Sequence, residues 1–137
     1  MVENLANWAA LMLRVGGGLV FMAHGFPKLL RTEKKPEVGR TRLKDAIEKL
    51  GFPYPLFFAY LVAAMELLGG IFLVLGLFTP WVSLILAIVM LFATFWMQKI
   101  HGFELGADFP FALLFMMIAL IFLGGGQFSL GALLGTQ

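Results

Sequence analysis

The sequence predicts an all-α membrane protein in which four transmembrane helices form an antiparallel bundle. Of the 137 residues, 61% are hydrophobic and only 13% are charged, a balance that excludes an ordinary soluble domain of this length. Eleven of the eighteen Asp, Glu, Lys and Arg residues fall within residues 31–49. One polar hairpin, residues 31–52, therefore interrupts a chain that otherwise forms a single membrane domain over residues 1–137.

Four apolar stretches are long enough to cross a bilayer core of about 30 Å, which needs roughly 20 helical residues. They cover approximately residues 5–27, 54–78, 80–98 and 109–126. Prolines mark their boundaries: Pro53 and Pro55 precede the second span, Pro80 separates the second from the third, and Pro110 opens the fourth. The turn "GLFTP" between the second and third spans is short, so these two spans are antiparallel neighbours.

The polar hairpin contains the sequence "TRLKDAIEKLG", which places Leu43, Ile47 and Leu50 on one helical face. This pattern predicts a short helix in the membrane interface, and a solvated amphipathic helix packed on the bundle fits it equally well. Apart from Arg14, every Lys and Arg lies in or beside this first connection or, for Lys99, in the third. By the positive-inside rule we expect both connections to be cytoplasmic and both termini to lie outside.

Two charged residues fall near the middle of predicted spans, Arg14 in the first and Glu66 in the second. An isolated charge at the bilayer centre costs at least about 2.5 to 3.5 kcal/mol, so such residues normally face the bundle interior and pair. We therefore expect Arg14 and Glu66 to form an ion pair across adjacent helices. The sequence leaves open whether this pair only fixes helix order or also handles protons or a ligand.

Each of these charges is followed, at helical spacing, by two glycines. Gly17 and Gly18 follow Arg14, and Gly69 and Gly70 occupy the same positions after Glu66. Small residues let helix backbones approach closely in lipid. We therefore assign these four glycines a structural role in helix packing.

A second polar group is expected near the cytoplasmic ends of the spans. His24 and Lys28 stand at i and i+4 in the first span, and His101 closes the third. Such side chains can hydrogen-bond a quinone carbonyl, bind an anion or move a proton. Each also has a structural alternative: Lys28 can extend to the interface, Asp108 can cap the fourth helix, and His101 can be a solvated loop residue. His24 is the strongest candidate, because it lies inside the apolar span and the adjacent Gly25 leaves room beside it.

Several cofactor classes are excluded or disfavoured by composition. The chain has no cysteine, which excludes disulfides, thiolate metal ligands, iron–sulfur ligation and a thiol relay within it. No metal site is predicted, and the surroundings of His101 do not resemble those of a haem ligand. No nucleotide-binding loop or Ser-His-Asp spacing occurs, and nothing indicates binding of nucleic acid. A quinone is the cofactor that suits this polar group best.

Three stretches resemble the hallmark stretches of the DoxX family of small prokaryotic membrane proteins with four spans. They are "LRVGGGLVFMAHGFPKL", "AAMELLGGIFLVLGLFTP" and "GGGQFSLGALLG". The resemblance covers nearly the whole chain, and the matching positions are Arg14, His24, Lys28, Glu66, Gly69 and Gly70. It implies a multi-pass protein of the cytoplasmic (inner) membrane that is associated with oxidoreductase assemblies. It does not imply thiosulfate oxidation by this chain, since no cysteine is available for sulfur chemistry.

These observations together predict a membrane subunit of a redox or quinone-linked system. It would bind a quinone or small anion in a polar intramembrane pocket beside His24 and Lys28, either as an enzyme or as an accessory subunit of a membrane oxidoreductase. The alternative is a scaffold or chaperone subunit whose basic hairpin, Arg31–Lys49, docks a redox or cytosolic protein partner. A small-solute or proton transporter is the third hypothesis. All three place the chain in a lipid bilayer and leave a homo-oligomer open.

Overall fold

A computed structural model describes residues 2–30, 40–101 and 106–135 of the chain. Over these residues the fold is all helical and contains no strand. The helices are α1 (Val2–Leu30), α2 (Arg40–Lys49), α3 (Pro55–Leu75), α4 (Thr79–His101), α5 (Asp108–Leu123) and α6 (Leu130–Leu134). Three of them, α1, α3 and α4, are long and apolar enough to cross a membrane, and α5 is a shorter apolar helix of 16 residues. The prediction of an all-helical membrane protein is therefore confirmed.

The turn between α3 and α4 is set by glycine. Gly76 adopts a left-handed conformation with φ 71°, which ends α3 three residues before the predicted boundary. The Gly76 N–H donates to the carbonyl of Leu73 (3.0 Å), and the Leu77 N–H donates to the carbonyl of Phe72 (2.9 Å). These two bonds close the helix and bring α4 back antiparallel to α3.

The C-terminal segment folds back onto α1 instead of continuing α5. The helix ends at Leu123, because Gly124 takes a φ of 67°, whereas the sequence predicted a span to residue 126. The N–H of Gln127 donates to Oδ1 of Asn7 in the second turn of α1 (2.9 Å). The short helix α6 then begins, and the Ser129 side chain caps it by accepting from the N–H of Ala132 (3.0 Å). The sequence analysis did not predict α6.

The polar hairpin contains a helix, as its apolar spacing predicted. α2 packs mainly on α3, where the Arg40 guanidinium lies 4.6 Å from the centre of the Tyr60 ring. On its exposed side, Lys44 and Glu48 form an ion pair one turn apart (3.5 Å). The position of α2 in the membrane interface stays a prediction.

The bundle consists of two antiparallel helix pairs, α1 with α3 and α4 with α5. Their shared core contains Phe21 of α1, Leu73 of α3, Leu86 of α4, and Met117 and Leu120 of α5, all essentially inaccessible. Any polar side chain of α1 that faces this core is shielded from water and needs a partner within the protein.

The four glycines predicted to be structural lie in two settings. Gly18 and Gly70 face each other where α1 crosses α3, since a Cβ built on either would lie 2.7 Å from the carbonyl oxygen of the other. Gly17 instead faces methionine side chains of α5, and Gly69 faces a leucine of α4, each with a nearest atom 3.1 Å from an added Cβ. Only the first two therefore set the distance between α1 and α3.

Gly25 is a further point of backbone contact that substitution can test. A Cβ there would lie 2.5 Å from the Leu67 nitrogen and 2.9 Å from the Ala63 carbonyl oxygen, and neither backbone atom can move aside. We expect Gly25→Ala to reduce the free energy of unfolding in detergent by about 1–3 kcal/mol. Gly16→Ala is the matched control, because its Cβ meets nothing within 4 Å and alanine is the better helix former. Equal effects of the two substitutions would contradict the close approach of α1 and α3.

Candidate functional site

Arg14 is buried at one end of the bundle and binds carbonyl groups. Its side chain is 2% exposed, Nη1 donates to the carbonyl of Val74 (2.8 Å), and Nη2 donates to the carbonyl of Phe128. Val74 lies in the last turn of α3, where carbonyls lack helical partners and carry the negative end of the helix dipole. Arg14 thus caps α3 and ties the C-terminal segment to α1. The predicted ion pair between Arg14 and Glu66 is wrong.

The register of the two helices explains this correction. Gly18 packs on Gly70, so in an antiparallel pair Arg14 faces Val74, four residues beyond that crossing. Glu66 lies four residues beyond it in the opposite direction. At 1.5 Å per residue the two charges are separated by about 12 Å along the bundle axis. Counting residues along the spans placed both charges near the bilayer midplane, because such a count is too coarse to detect this separation.

Glu66 is paired with Lys28. The Lys28 ammonium donates to both carboxylate oxygens, at 2.9 and 2.6 Å. The Glu66 side chain is 5% exposed and that of Lys28 is 19% exposed. Side chains on a helix tilt toward its N-terminus, so the long Lys28 side chain reaches back into the bundle. Extension to the interface, the structural alternative for Lys28, is therefore wrong as an account of this residue.

His24 lies on the surface of the bundle, one turn before Lys28. Its Nδ1 donates to the carbonyl of Val20 (2.9 Å), and its ring stacks on Phe109 of α5, with centroids 5.3 Å apart and planes at 28°. Because the partner of Nδ1 is a carbonyl, the neutral ring carries its proton there and Nε2 is an acceptor. No described residue hydrogen-bonds to Nε2. The side chain is exposed, so a molecule in the surrounding lipid can reach this atom.

Gly25 does not provide the space beside His24 that the sequence suggested, since α3 fills it. An open groove of about 360 Å³ does exist on α1, on a different face from His24 and Lys28. It is lined by Met22, Ala23, Phe26, Pro27 and Leu67. The structure therefore does not form one polar pocket from His24 and Lys28: the first faces outward and the second is engaged by Glu66.

His101 and Asp108 are the remaining residues that the sequence analysis considered for this polar group. His101 ends α4, but its side chain lies outside the described part of the structure. Asp108 does not cap α5, because Ala107 holds the cap position; the carboxylate instead lies in the first turn, near the positive end of the helix dipole. Within the described ranges, no group of three or more His, Asp or Glu side chains is arranged to hold a metal ion.

Three buried hydroxyl residues, in the first two turns of α4 and just before α6, were missed at the sequence level. Thr79, Ser83 and Ser129 are each at most 1% exposed, and with Arg14 they form what we call the Arg14 cluster. A Cβ on Gly125 would lie 2.9 Å from Ser129 Oγ and 3.0 Å from Thr79 Oγ1. The signals in the sequence were weak. Thr79 precedes Pro80 at the start of α4, and Ser129 stands where a residue that caps a helix is expected.

A Cβ on Gly76 would lie 2.5 Å from both Arg14 Nη1 and Ser129 Cβ. Ser129 is therefore a neighbour of both Arg14 and Thr79, while Ser83 lies one turn further along α4. Glycine is required at position 76 both for its left-handed backbone and for this close approach of the guanidinium.

Comparison with known proteins places the chain in a family. The sequence model of the DoxX family matches residues 9–99. A protein of Bacillus subtilis (strain 168) named "Putative oxidoreductase CatD" is 32% identical over 114 residues, which cover 83% of this chain and 78% of that protein. No solved structure matches. The match over residues 9–99, which contains Arg14, His24, Lys28 and Glu66, shows that this multi-pass membrane protein belongs to the DoxX family.

Proposed function

We propose that this chain is a membrane subunit of a redox system and binds a quinone headgroup on the surface formed by His24 and Phe109. Membership of the DoxX family and the oxidoreductase name of the Bacillus subtilis relative support the redox association. The observation that carries the quinone assignment is the His24 imidazole, which is oriented by two contacts and presents Nε2 as an acceptor on the bundle surface.

The chemistry of a quinone suits this surface in both oxidation states. A quinol is a lipid-soluble ring with two hydroxyl donors, and one of them can donate to Nε2 of neutral His24. A quinone carbonyl can accept from the same nitrogen when the imidazole is protonated. Phe109, which is 48% exposed, offers an aromatic face beside it. We assign electron transfer itself to other subunits of the redox system.

A small anion was the other ligand predicted for this region, and it suits the region less well. The cation expected to attract it was Lys28. Its ammonium group is already hydrogen-bonded to both oxygens of Glu66, so the pair has no net charge. The quinone assignment does not need a free cation.

The proposal includes a topology with α5 as the fourth span. At 1.5 Å per residue α5 is about 24 Å long, which is shorter than a bilayer core of about 30 Å. Non-helical backbone at membrane depth is tolerated where it is buried in protein. The turn after α5 meets this condition in part, because Asn7 accepts from the Gln127 N–H and Ser129 donates to the Gly126 carbonyl. Both termini then lie outside a prokaryotic inner membrane and α2 is cytoplasmic.

His24→Phe tests the proposal because it keeps an aromatic ring against Phe109 and removes the acceptor. We expect the affinity of the protein in nanodiscs for a short-chain quinol to fall about tenfold, which corresponds to one hydrogen bond of about 1.4 kcal/mol. Phe109→Leu should also weaken binding. Phe122→Leu, on the same helix at an 85% exposed position, is the matched control and should bind like the wild type. Equal affinity of His24→Phe and the wild type would refute the site.

A scaffold subunit is the second candidate, favoured by the way α2 is held on the bundle. The contact of Arg40 with Tyr60 fixes a polar helix against α3, with Glu48 on its exposed side. The molecules that copurify with the protein distinguish quinone binding from the scaffold function. The scaffold function is favoured if the purified protein carries no quinone but a stoichiometric polypeptide, and if this polypeptide is lost when Arg40, Arg42 and Lys44 are neutralised.

A further inference from the structure

Arg14 is a buried cation whose described partners are all uncharged. The groups that accept from it are backbone carbonyls, chiefly those of Val74 and Phe128. Among the described acidic side chains, Glu66 is bound to Lys28, and none forms an ion pair with Arg14. A charge removed from water costs several kcal/mol unless an opposite charge compensates it. Carbonyl dipoles offset part of this cost but supply no net negative charge.

Three buried polar atoms in this part of the bundle also lack hydrogen-bond partners among the described residues. They are Arg14 Nε, Thr79 Oγ1 and Ser83 Oγ. More than nine in ten buried polar groups in proteins are paired, so these three unpaired atoms need an explanation. Arg14 Nε can only donate, so the partner that it lacks is an acceptor, and both hydroxyls can donate to the same kind of group.

We propose that a small anion of the size of chloride binds in the Arg14 cluster. It accepts hydrogen bonds from Arg14 Nε and from the hydroxyls of Thr79 and Ser83, and it neutralises the guanidinium. Gly76 and Gly125 keep side chains out of the cluster, and the backbone packs closely there against Arg14, Thr79 and Ser129. This tight packing favours a monatomic halide over a larger oxyanion. The inference does not rest on quinone binding, which involves His24, ten residues further along α1.

The first test measures thermal unfolding of the protein in detergent at constant ionic strength. We expect the unfolding midpoint to rise with chloride or bromide concentration relative to gluconate, because a ligand that binds only the folded state stabilises it. The double variant Thr79→Val/Ser83→Ala should lose this halide-dependent rise. It should still fold, since replacing an unpaired buried hydroxyl by an apolar group of similar shape is nearly neutral or stabilising.

Lys28→Met/Glu66→Gln is the control for general effects of salt on charged residues. It removes the other buried charge pair and should keep the halide-dependent rise. A rise of equal size in Thr79→Val/Ser83→Ala, or no rise in the wild type, would overturn the anion site.

The second test locates the ion directly. Crystals grown in bromide should show an anomalous scattering peak beside Arg14 and Thr79. An ordered water without anomalous signal at this position would overturn the proposal, because water can satisfy the hydroxyls but cannot neutralise the guanidinium.

Discussion

Arg14→Met is expected to destabilise the protein by roughly 2–6 kcal/mol, because two buried carbonyl groups lose their donor. The carbonyls of Val74 and Phe128 lose their donor in an apolar interior, and each unpaired group costs about 1–3 kcal/mol. The measurement is reversible unfolding in mixed detergent micelles followed by circular dichroism. Arg14→Lys is the matched control and should lose less, because it keeps the charge but not the planar pair of donors.

The same substitution should release the C-terminal segment from α1. Ala10 is 1% exposed, and its Cβ lies 3.4 Å from a Cβ built on Gly126. Since the chain has no cysteine, Ala10→Cys provides a unique thiol under this segment. Its labelling by a water-soluble maleimide should be slow in the otherwise unchanged protein and clearly faster when combined with Arg14→Met. Unchanged labelling together with a loss below about 1 kcal/mol would show that Arg14 does not hold this segment.

Lys28→Met is expected to destabilise the protein by about 3–5 kcal/mol, and Glu66→Gln by distinctly less. The asymmetry follows from burial. Without Glu66, the Lys28 ammonium, on a side chain already 19% exposed, can extend to water. Without Lys28, the Glu66 carboxylate, 5% exposed, remains in the bundle without a counter-charge. A double-mutant cycle of unfolding free energies measures both effects, and Lys28→Met/Glu66→Gln should recover most of the loss.

Lys28→Met/Glu66→Gln is the internal control of this cycle, because neither position then carries a charge. Additive single effects, or a larger loss in Glu66→Gln, would contradict the ion pair.

Several features of the fold follow from local sequence. The apolar stretches and the prolines at their ends predicted α1, α3 and α4 to within a few residues, because hydrophobic length and the missing N–H of proline act locally. The apolar spacing of the hairpin predicted α2 for the same reason. Gly124 and Gly126 were visible in the sequence but were not recognised as the end of α5 and the start of a return to α1. Their positive φ angles turn the chain after α5, and a Cβ on Gly126 would lie 3.1 Å from Asn7 of α1.

The candidate sites were predicted less completely than the fold. Arg14, His24, Lys28 and Glu66 were singled out correctly as polar groups in apolar spans, since that property belongs to the sequence. The partners of Arg14, Lys28 and Glu66 were not predictable, because they depend on how far α1 is displaced along α3. The contact of His24 with Phe109 depends on how α5 packs against α1. Thr79 and Ser83 were overlooked for a similar reason: a hydroxyl in an apolar helix is unremarkable until its neighbours are known.

The sequence by itself determined that this is a helical membrane protein of the DoxX family, where its apolar helices lie, and which polar residues they contain. Only the tertiary structure decided that Lys28 neutralises Glu66, that Arg14 caps α3, and that His24 faces outward onto Phe109. The physical reason is the contact of Gly18 with Gly70, which sets the register of two antiparallel helices. A shift of a few residues along that contact would change the partners of Arg14, Lys28 and Glu66, although the same residues would still form each helix.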